Sequence, residues 1–159
     1  MYTFNEAVNP EVDPAIRKTM QGNRGSNTKP ELLVRKILRD EGFPGYRLHW
    51  KKAPGKPDIA YPGRKIAVFV NGCFWHHHEG CRYAYTPKKN QYFWINKFEE
   101  NTMRDNKVYS ELVACGWKVF TLWECELKQQ EHTGQMLDLL ACLQEAVPAG
   151  NQVCKRSIC

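Results

Sequence analysis

Residues 65–71 read KIAVFVN, and the block GCFWHHHEGC follows directly at residues 72–81. The first stretch is apolar on both faces, which is typical of a strand buried inside a sheet that carries helices on each side. The second stretch places sulfur and imidazole groups where that strand ends. The sequence therefore predicts a central strand with a potential metal-binding loop at its carboxyl end.

Helical and strand-like patterns alternate around this central strand. The predicted elements are, in order, a helix at 28–41, strands at 46–50 and 57–61, the strand at 65–71, a long helix that ends at Gly116, a strand at 117–123 and a helix at 134–146. This order predicts an α/β fold in which helices flank a mixed sheet. A chain of 159 residues fits one domain, which we place at 28–148, with a flexible N-terminal arm at 1–27 and a disordered tail at 149–159.

The composition argues against a membrane protein and favours a reducing compartment. No apolar stretch reaches 18 residues, and the first residues lack the basic and then apolar pattern of a signal peptide. The expected location is therefore the cytoplasm, where the seven cysteines serve better as metal ligands and core residues than as disulfides. The net charge of +6 is compatible with a polyanionic partner, although a solvated basic surface is the simpler interpretation of charge alone.

The loop after the central strand has the donor types that Zn²⁺ prefers. Cys73 and Cys81 bracket three histidines, and Cys125 follows another strand-like run. Cysteine sulfur and histidine nitrogen bind zinc in a tetrahedron, so three cysteines and one histidine would complete a structural site. The other histidines are then free for chemistry, unless all three act as redundant ligands, since histidine-rich tracts also bind metal without catalysis.

Two polar residues are predicted to meet at one edge of the sheet. Asp58 follows a rigid turn at the start of a strand, and Asn71 ends the central strand, so that the intervening hairpin brings them together. A hard cation such as Mg²⁺ prefers oxygen ligands and could activate water at a phosphodiester. His76 is the histidine best suited to proton transfer if another one binds zinc. An ordinary turn carboxylate is the structural alternative for Asp58.

Two further carboxylates have simple structural interpretations. Thr28, Pro30 and Glu31 form the pattern of a helix start, in which Glu31 completes a capping box. Asp105 lies on the long helix, where a carboxylate usually faces solvent. On these residues alone, neither carboxylate needs to be catalytic.

Large aromatic residues lie in and near the histidine-rich loop. Phe74 and Trp75 lie inside it, where little core is expected, and Trp94 lies in the first turn of the next helix. A metal-braced loop that exposes aromatic rings could stack on bases or insert between them. Lysines nearby, among them Lys97, would contact phosphates.

Together these pieces resemble the very-short-patch-repair (Vsr) mismatch endonucleases. The similarity runs from about residue 20 to residue 127. It rests on the order and spacing of GKPD at 55–58, VFVNGCFWHHH at 68–78, Phe93-Trp94, the segment 101–105 and the sequence from Gly116 to Cys125. A Cys/His cluster alone would not identify the family.

The resemblance implies a fold similar to that of type II restriction endonucleases. It also implies a Mg²⁺-dependent nick on the 5′ side of the thymine in a T·G mismatch left by deamination of 5-methylcytosine. Carried over by position, Asp58 would hold Mg²⁺ with the backbone carbonyl of Val70, and His76 would be the acid or base at the scissile phosphate. Asp105 would orient His76, and Glu31 would act on metal-bound water. Two Mg²⁺ ions would flank the phosphate.

The same resemblance implies one structural Zn²⁺ and a DNA-binding face. The zinc ligands would be Cys73, His78, Cys81 and Cys125. The residues that would intercalate from the major groove are Phe74, Trp75 and Trp94. Met20 on the N-terminal arm would approach from the minor groove. The mismatched pair or its flanks would be contacted by Lys97 and Asn101.

The chain departs from the family pattern in two places. Asn71 stands where the family often has histidine or aspartate, so this member of the implied catalytic set has a side chain that cannot exchange a proton. Glu79 and Gly80 lengthen the gap before Cys81. His77 and His78 are therefore both candidates for the zinc ligand, and the spacing from Cys73 favours His78.

Three functions remain open at this point. The first is a monomeric mismatch endonuclease that acts on duplex DNA in the cytoplasm, at the nucleoid, alone or with a mismatch-sensing protein partner. The second is a Vsr-like nuclease that belongs to a restriction system or recognises another lesion. The third is a zinc-braced DNA-binding module without catalysis.

Overall fold

The structure is a computed structural model that describes residues 14–22, 25–129 and 134–145. Its helices are α1 (Pro14–Gly22), α2 (Lys29–Asp40), α3 (Gln91–Ala114), α4 (Glu124–Leu127) and α5 (Gln135–Gln144). Its strands are β1 (Arg47–Leu48), β2 (Ile59–Tyr61), β3 (Ile66–Asn71) and β4 (Lys118–Trp123), and a 3₁₀ turn at Pro62–Arg64 joins β2 to β3.

The four strands form one mixed sheet in the order β1-β2-β3-β4. Neighbours are antiparallel from β1 to β3, while β4 runs parallel to β3. A parallel neighbour requires a crossover connection, and α3 supplies it. Since β3 pairs along both edges, the predicted central strand and the predicted mixed sheet are confirmed.

The sheet carries a hydrophobic core on each face because side chains alternate along its strands. Ile59 and Val68 belong to the core shared with α2 and α5. Ala60 and Ala67 belong to the core shared with α3, where Leu112 is fully buried. Helices therefore cover both faces, as the apolar character of β3 predicted.

The start of α2 is confirmed in detail. Thr28 is the N-cap, its hydroxyl accepts a hydrogen bond from the Glu31 backbone N–H at 3.4 Å, and the Glu31 carboxylate accepts from the Thr28 backbone N–H at 3.4 Å. This reciprocal pair is a capping box. It fixes the position of Glu31 at the edge of the sheet.

Several elements differ from the prediction. The sequence does not predict α1, which lies within the segment expected to be a loose arm, or α4, which is too short to show a helical period. The strand expected at 46–50 shortens to β1 because His49 has a φ of +44°, which breaks the extended backbone. The described residues do not include 1–13 and 23–24 of the expected arm or the expected tail at 149–159.

One turn of α3 mixes exposed and buried residues, and Cys115 next to it differs from expectation. Tyr109 and Val113 are 51% and 48% exposed, whereas Leu112, which packs against the sheet, is fully buried. Cys115 is disulfide-bonded, so the expectation that the cysteines act only as ligands and core residues is wrong there. Cys142 is a half-buried free thiol. None of the described helices combines the length and apolarity needed to cross a membrane.

Candidate active site and metal centre

A cleft of about 500 Å³ opens beside the carboxyl-terminal half of β3. It is lined by all of the residues that the resemblance assigns to catalysis or to Mg²⁺, namely Glu31, Asp58, Val70, Asn71, His76 and Asp105. They come from the start of α2, from β3, from the segments that precede β2 and follow β3, and from the middle of α3. The structure therefore brings this set to one cavity, and the role of each residue stays a prediction.

Asp58 lies where the ladder between β2 and β3 ends. Its Oδ2 accepts a hydrogen bond from the Val70 backbone N–H at 2.8 Å, and its Oδ1 lies 3.7 Å from His49 Nδ1. Burial raises the pKa of Asp58, against the lowering effect of the Val70 N–H, and the negative charge of Glu31 raises it further. A carboxyl group that is costly to ionise without a nearby cation is suited to binding one.

His76 and Asp105 form a hydrogen-bonded pair in the wall of the cleft. His76 Nδ1 lies 2.5 Å from Asp105 Oδ2, and both side chains are partly buried. His76 is held from one side by its backbone, whose N–H donates to the Gly72 carbonyl at 3.2 Å. Because Asp105 engages Nδ1, Nε2 is the ring nitrogen left for proton transfer, which is the arrangement of a carboxylate-oriented imidazole.

Glu31 is surrounded by donors. Its Oε2 accepts from the Asn27 backbone N–H and from Arg35, each at 3.0 Å, and its Oε1 accepts from the Thr28 hydroxyl at 2.9 Å. The residue is only 4% exposed. With the Thr28 backbone N–H, which donates to Oε1 at 3.4 Å, four donors occupy the four lone pairs of the carboxylate. The geometry favours a structural carboxylate, because taking a proton from water would require one of these hydrogen bonds to break.

Asn71 ends β3 and is paired in register with Trp123 of β4. It is 9% exposed and lines the cleft. An amide can donate and accept hydrogen bonds there but cannot exchange a proton. Its position therefore suits orientation of a bound group rather than acid or base chemistry.

A second cluster lies in the loop that follows β3. One ligand atom from each of Cys73, His78, Cys81 and Cys125 lies within 4.8 Å of the others. His78 Nδ1 is 3.4 Å from the Cys125 sulfur and 3.7 Å from the Cys73 sulfur. Three sulfurs and one imidazole nitrogen at this spacing could hold one metal ion, and they are the donor types that Zn²⁺ prefers.

The three sulfurs of this cluster have different affinities for protons. Burial raises the pKa of Cys73 to about 12 and also raises that of Cys125, while the backbone N–H of Tyr83 lowers the pKa of Cys81. Zinc binds thiolates, so a bound cation would provide the charge that lets all three ionise together.

The loop geometry separates His78 from its neighbour His77. The His78 backbone N–H donates to the Cys73 carbonyl at 3.0 Å, and its ring stacks on Trp123 with centroids 4.0 Å apart. His77 is exposed and stacks on Phe98 instead. The structure therefore supports His78 as the imidazole of the cluster, as the spacing favoured.

Comparison with known proteins gives the same family as the motifs. The family model described as DNA mismatch endonuclease Vsr matches residues 11–82. The type II nicking enzyme V.XorIIP of Xanthomonas oryzae pv. oryzae is 46% identical over 111 residues, which cover 70% of this chain and 80% of that protein. The DNA mismatch endonuclease Vsr of Escherichia coli K12 is 33% identical over 120 residues, which cover 75% of this chain and 76% of that protein. This chain belongs to the Vsr family.

Membership of the Vsr family makes the chain an endonuclease that acts on DNA. The type II nicking enzyme V.NmeAIP of Neisseria meningitidis, 45% identical over 71% of this chain and 79% of that protein, belongs to the same group of relatives. The family model's match at 11–82 contains Glu31, Asp58 and His76 of the cleft and Cys73, His78 and Cys81 of the Cys/His cluster.

The aromatic residues of this Vsr-family protein form a packed cluster. Phe74 contacts the rings of Trp75, Trp94 and Phe98 with centroids 5.1 to 5.3 Å apart. Trp94 and Phe98 are each 4% exposed, whereas Phe74 and Trp75 are half-buried. The expectation that the loop has little core is therefore wrong, because the first turns of α3 provide one.

Three other residues predicted to bind DNA have protein partners. Met20 of α1 packs against the aromatic cluster. Asn101 is 6% exposed, and its amide donates to the Trp75 carbonyl at 2.8 Å, so it holds the aromatic loop on α3. Lys97 lies 3.3 Å from Glu100, on the same helix.

Two residues near the cleft are not singled out by the sequence. His49 lies between Glu31 and Asp58, with a ring nitrogen 3.8 Å from the first carboxylate and 3.7 Å from the second. Arg35 is 6% exposed and pairs with Glu31 at 3.0 Å. The spacing of Glu31 and Arg35, four residues apart on a helix, is a signal for the ion pair, but nothing local to His49 marks its site.

Proposed function

We propose that this Vsr-family endonuclease makes a Mg²⁺-dependent single-strand nick on the 5′ side of the thymine in T·G mismatches. The observation that supports this most is the single cleft that is lined by both Asp58 and the His76–Asp105 pair. Metal-assisted hydrolysis of a phosphodiester uses a cation site and a proton-transfer group at one phosphate, and the residues of the cleft are suited to both roles.

The donor set around Asp58 fits a hard cation. The carboxylate of Asp58 and the backbone carbonyl of Val70 are oxygen ligands of the kind that Mg²⁺ takes. The two Mg²⁺ ions that we propose would activate water and neutralise charge on the departing 3′ oxygen when bound. Asp58 orients its carboxylate through the Val70 N–H, and His76 moves a proton at Nε2 while Asp105 holds its other nitrogen.

One Zn²⁺ would occupy the second cluster, with Cys73, His78, Cys81 and Cys125 as ligands. Its role would be structural, because four protein ligands leave no open position. Cys73 lies just after β3 and Cys125 lies in α4, so the bound ion would tie the aromatic loop to the end of β4. The rigid loop would then carry the residues that touch DNA.

Phe74 and Trp75 would form the wedge that enters the DNA. Both are half-buried on a floor made by Trp94 and Phe98, so Trp94 would support the wedge before it contacts a base. Bases in a mismatch unstack at lower cost than bases in a Watson–Crick pair. This difference in the cost of unstacking would give the preference for T·G. Met20 would leave the aromatic cluster to reach the other groove.

Lys97 and Asn101 would lie beneath the DNA on α3. Lys97 would release Glu100 and contact the mismatched pair or its flanks, since exposed ion pairs of this kind are weak. Asn101 would act mainly through the Trp75 carbonyl that it holds. Glu31 would keep the start of α2 beside Asp58 rather than act on water.

The wider setting follows from the same proposal. The mixed sheet with Asp58 at its edge would be a core of the restriction-endonuclease type, and the enzyme would act as a monomer on chromosomal DNA in the cytoplasm. A mismatch-sensing protein could recruit it, and the arm at 1–27 would contact DNA.

The test is strand-resolved nicking of three otherwise identical duplexes that contain T·G, U·G or a normal pair. We expect one product, cut on the 5′ side of the thymine, from the T·G duplex. Equal cutting of all three would reject mismatch specificity and favour a nuclease of a restriction system. Tight binding without any Mg²⁺-dependent product would favour a zinc-braced DNA-binding module.

Variants connect that result to the cleft. His76→Ala is expected to bind the T·G duplex and to leave it intact, because the ring takes part in proton transfer. His77→Ala is the matched control, since that ring is exposed and stacks on Phe98 outside the cleft. Undiminished nicking by His76→Ala would reject the assignment of the acid or base.

A further inference from the structure

A chain of charged and polar side chains runs from the buried face of α2 to Asp58. Arg35 donates to Asn27 Oδ1 at 2.7 Å and to Glu31 Oε2 at 3.0 Å, and the same Nη2 lies 3.5 Å from His49 Nε2. The other nitrogen of that ring, Nδ1, lies 3.7 Å from Asp58 Oδ1. His49 therefore bridges a buried guanidinium and the carboxylate assigned to Mg²⁺.

The chemistry of arginine decides how the His49 ring is protonated. His49 Nε2 faces both Arg35 Nη2 at 3.5 Å and Glu31 Oε2 at 3.8 Å. A guanidinium carries only N–H donors and is the nearer of the two, and Glu31 Oε2 already accepts from Arg35, so this ring nitrogen is favoured as an acceptor. A neutral imidazole then carries its single proton on the other nitrogen. For His49 this places an Nδ1–H towards Asp58 Oδ1.

The backbone holds the ring in this place. The His49 N–H donates to the Asp58 carbonyl at 3.1 Å, and the φ of +44° turns the chain out of β1 at this residue. The Val70 N–H binds Asp58 Oδ2, and His49 Nδ1 lies 3.7 Å from Oδ1, which is an electrostatic contact rather than a full hydrogen bond. Both oxygens of Asp58 therefore face a nitrogen of the protein before any cation binds.

Arg35 also limits where a cation can lie. Glu31, His49 and Asp58 offer ligand atoms within 4.8 Å of one another, which is close enough for one ion. However, the positively charged guanidinium of Arg35 already lies beside Glu31 Oε2 and His49 Nε2. Its charge would repel a cation placed near these two atoms. Only the Asp58 end of the group is open to a second positive charge.

We propose that His49 is a positioning residue, held by Arg35 as the Nδ1–H tautomer, that orients Asp58 for its divalent ion. The proposal rests on the proposed function, since it needs the ion at Asp58. Groups that orient a ligand by hydrogen bonding commonly change metal affinity when they are replaced.

The first test is the ¹⁵N spectrum of histidine-labelled, zinc-bound protein without other divalent ions at pH 8, with His49 assigned by the signals lost in His49→Asn. We expect a protonated Nδ1 and an unprotonated Nε2 for His49. A proton on Nε2, whether alone or together with one on Nδ1, would overturn the proposal.

The second test is direct Mn²⁺ binding, followed by the electron paramagnetic resonance signal of free Mn²⁺, on the zinc-bound full chain. His49→Ala should weaken binding by about 10-fold. His49→Asn should stay close to the unchanged protein, because asparagine tolerates positive φ and keeps an N–H near the position of Nδ1. If His49→Ala does not melt cooperatively, His49→Gln replaces it as the disruptive variant. The longer glutamine side chain carries its amide beyond the position of Nδ1, so it should weaken Mn²⁺ binding in the same way.

The outcomes separate this proposal from the proposed function. Full Mn²⁺ affinity in His49→Ala, or an equal loss in His49→Asn, would reject the role of His49 while Asp58→Ala still loses the ion. If Asp58→Ala binds Mn²⁺ as tightly as the unchanged protein, the ion does not lie at Asp58. The metal assignment of the proposed function is then wrong, and the role of His49 is rejected with it.

Discussion

The Cys/His cluster and the acidic cleft are both suited to metal ions, but they are built in opposite ways. Three of the four ligands in the cluster come from the loop at 73–81, and only Cys125 is distant in sequence. The candidate catalytic residues of the cleft come from α2, β3, α3 and the segments before β2 and after β3, and they extend from Glu31 to Asp105 in the chain. One centre is local, and the other exists only when the fold is complete.

This difference explains what each centre can do. A closed set of sulfur and nitrogen donors holds a soft or borderline ion firmly and adds to folding free energy. An open cleft with a buried carboxylate costs stability and leaves room for a substrate. If the two centres differ in this way, substitutions at the cluster should mainly change stability, and substitutions in the cleft should mainly change the rate of nicking.

The largest effect is expected from Cys125→Ser. The variant should release its zinc and lose several kcal/mol of stability, because the binding free energy of a structural zinc site is about 10–16 kcal/mol and is part of folding. Zinc content and the melting temperature measure this. Cys142→Ser is the control, because Cys142 is a free thiol outside the cluster and its loss should leave zinc in place. One equivalent of retained zinc in Cys125→Ser would contradict the ligand set.

Asp58→Asn is expected to reduce nicking by about 10³-fold, since the substitution removes the charge that holds the cation. It should not reduce stability at neutral pH in buffer without divalent ions. Burial raises the pKa of Asp58 in the folded protein, so its contribution to stability is complete below the pKa of the unfolded chain and is lost as pH rises through the higher folded-state value.

Single-turnover nicking and melting curves across that pH range test both parts of this prediction. Asp138→Asn is the control, because Asp138 is an exposed carboxylate on α5. A less stable Asp58→Asn protein at neutral pH would mean that the ionised carboxylate is stabilised by its surroundings after all.

Asp105→Asn should lower the nicking rate by about 10²-fold and leave DNA affinity nearly unchanged. The carboxylate holds His76 Nδ1 and fixes which nitrogen faces the phosphate, which is a role in positioning rather than in binding. The rate and the dissociation constant for the T·G duplex separate the two effects. Glu111→Gln supplies the comparison, because Glu111 is an exposed carboxylate on α3. A loss of affinity in Asp105→Asn as large as its loss of rate would point to DNA binding instead.

The smallest effect is expected from Gly55→Ala, at the contact between the segment before β2 and α3. A methyl group on Gly55 would lie 2.2 Å from Val108 Cγ1 of α3, and Gly55 has a φ of +69°. Gly55→Ala should therefore lower the free energy of unfolding by about 1–3 kcal/mol and move Asp58 relative to Asp105. Gly63→Ala, which meets nothing within 4 Å, should be nearly neutral. Equal melting temperatures for the two variants would show that the cleft tolerates this shift.

The two centres also differ in how far the sequence predicts them. The apolar run of β3, the capping box of α2 and the spacing of Cys73 and His78 are local patterns, and each was predicted from neighbours in the chain. The cleft needed family resemblance to connect Asp58 with His76 and Asp105, because their proximity depends on the crossover through α3.

Some features of the site escaped prediction for physical reasons. His49 is placed by a left-handed backbone turn and by a buried arginine, and neither leaves a periodic pattern. Glu31 looked like a capping residue and is one, which weakens its assignment as a catalytic carboxylate. Phe74 and Trp75 were expected to lie in a loop with little core, yet Trp94 and Phe98 of α3 provide one.

The central claim, that one ion stiffens a loop while another breaks DNA, is tested most directly by metal add-back. Protein that retains one equivalent of zinc but no other divalent ion is mixed with a T·G duplex, and nicking is followed on each strand before and after Mg²⁺ is added. We predict no product without Mg²⁺ and a single nick beside the thymine with it, while zinc content stays constant. Nicking that is complete before Mg²⁺ is added, with zinc as the only ion present, would contradict the division of labour between the two centres.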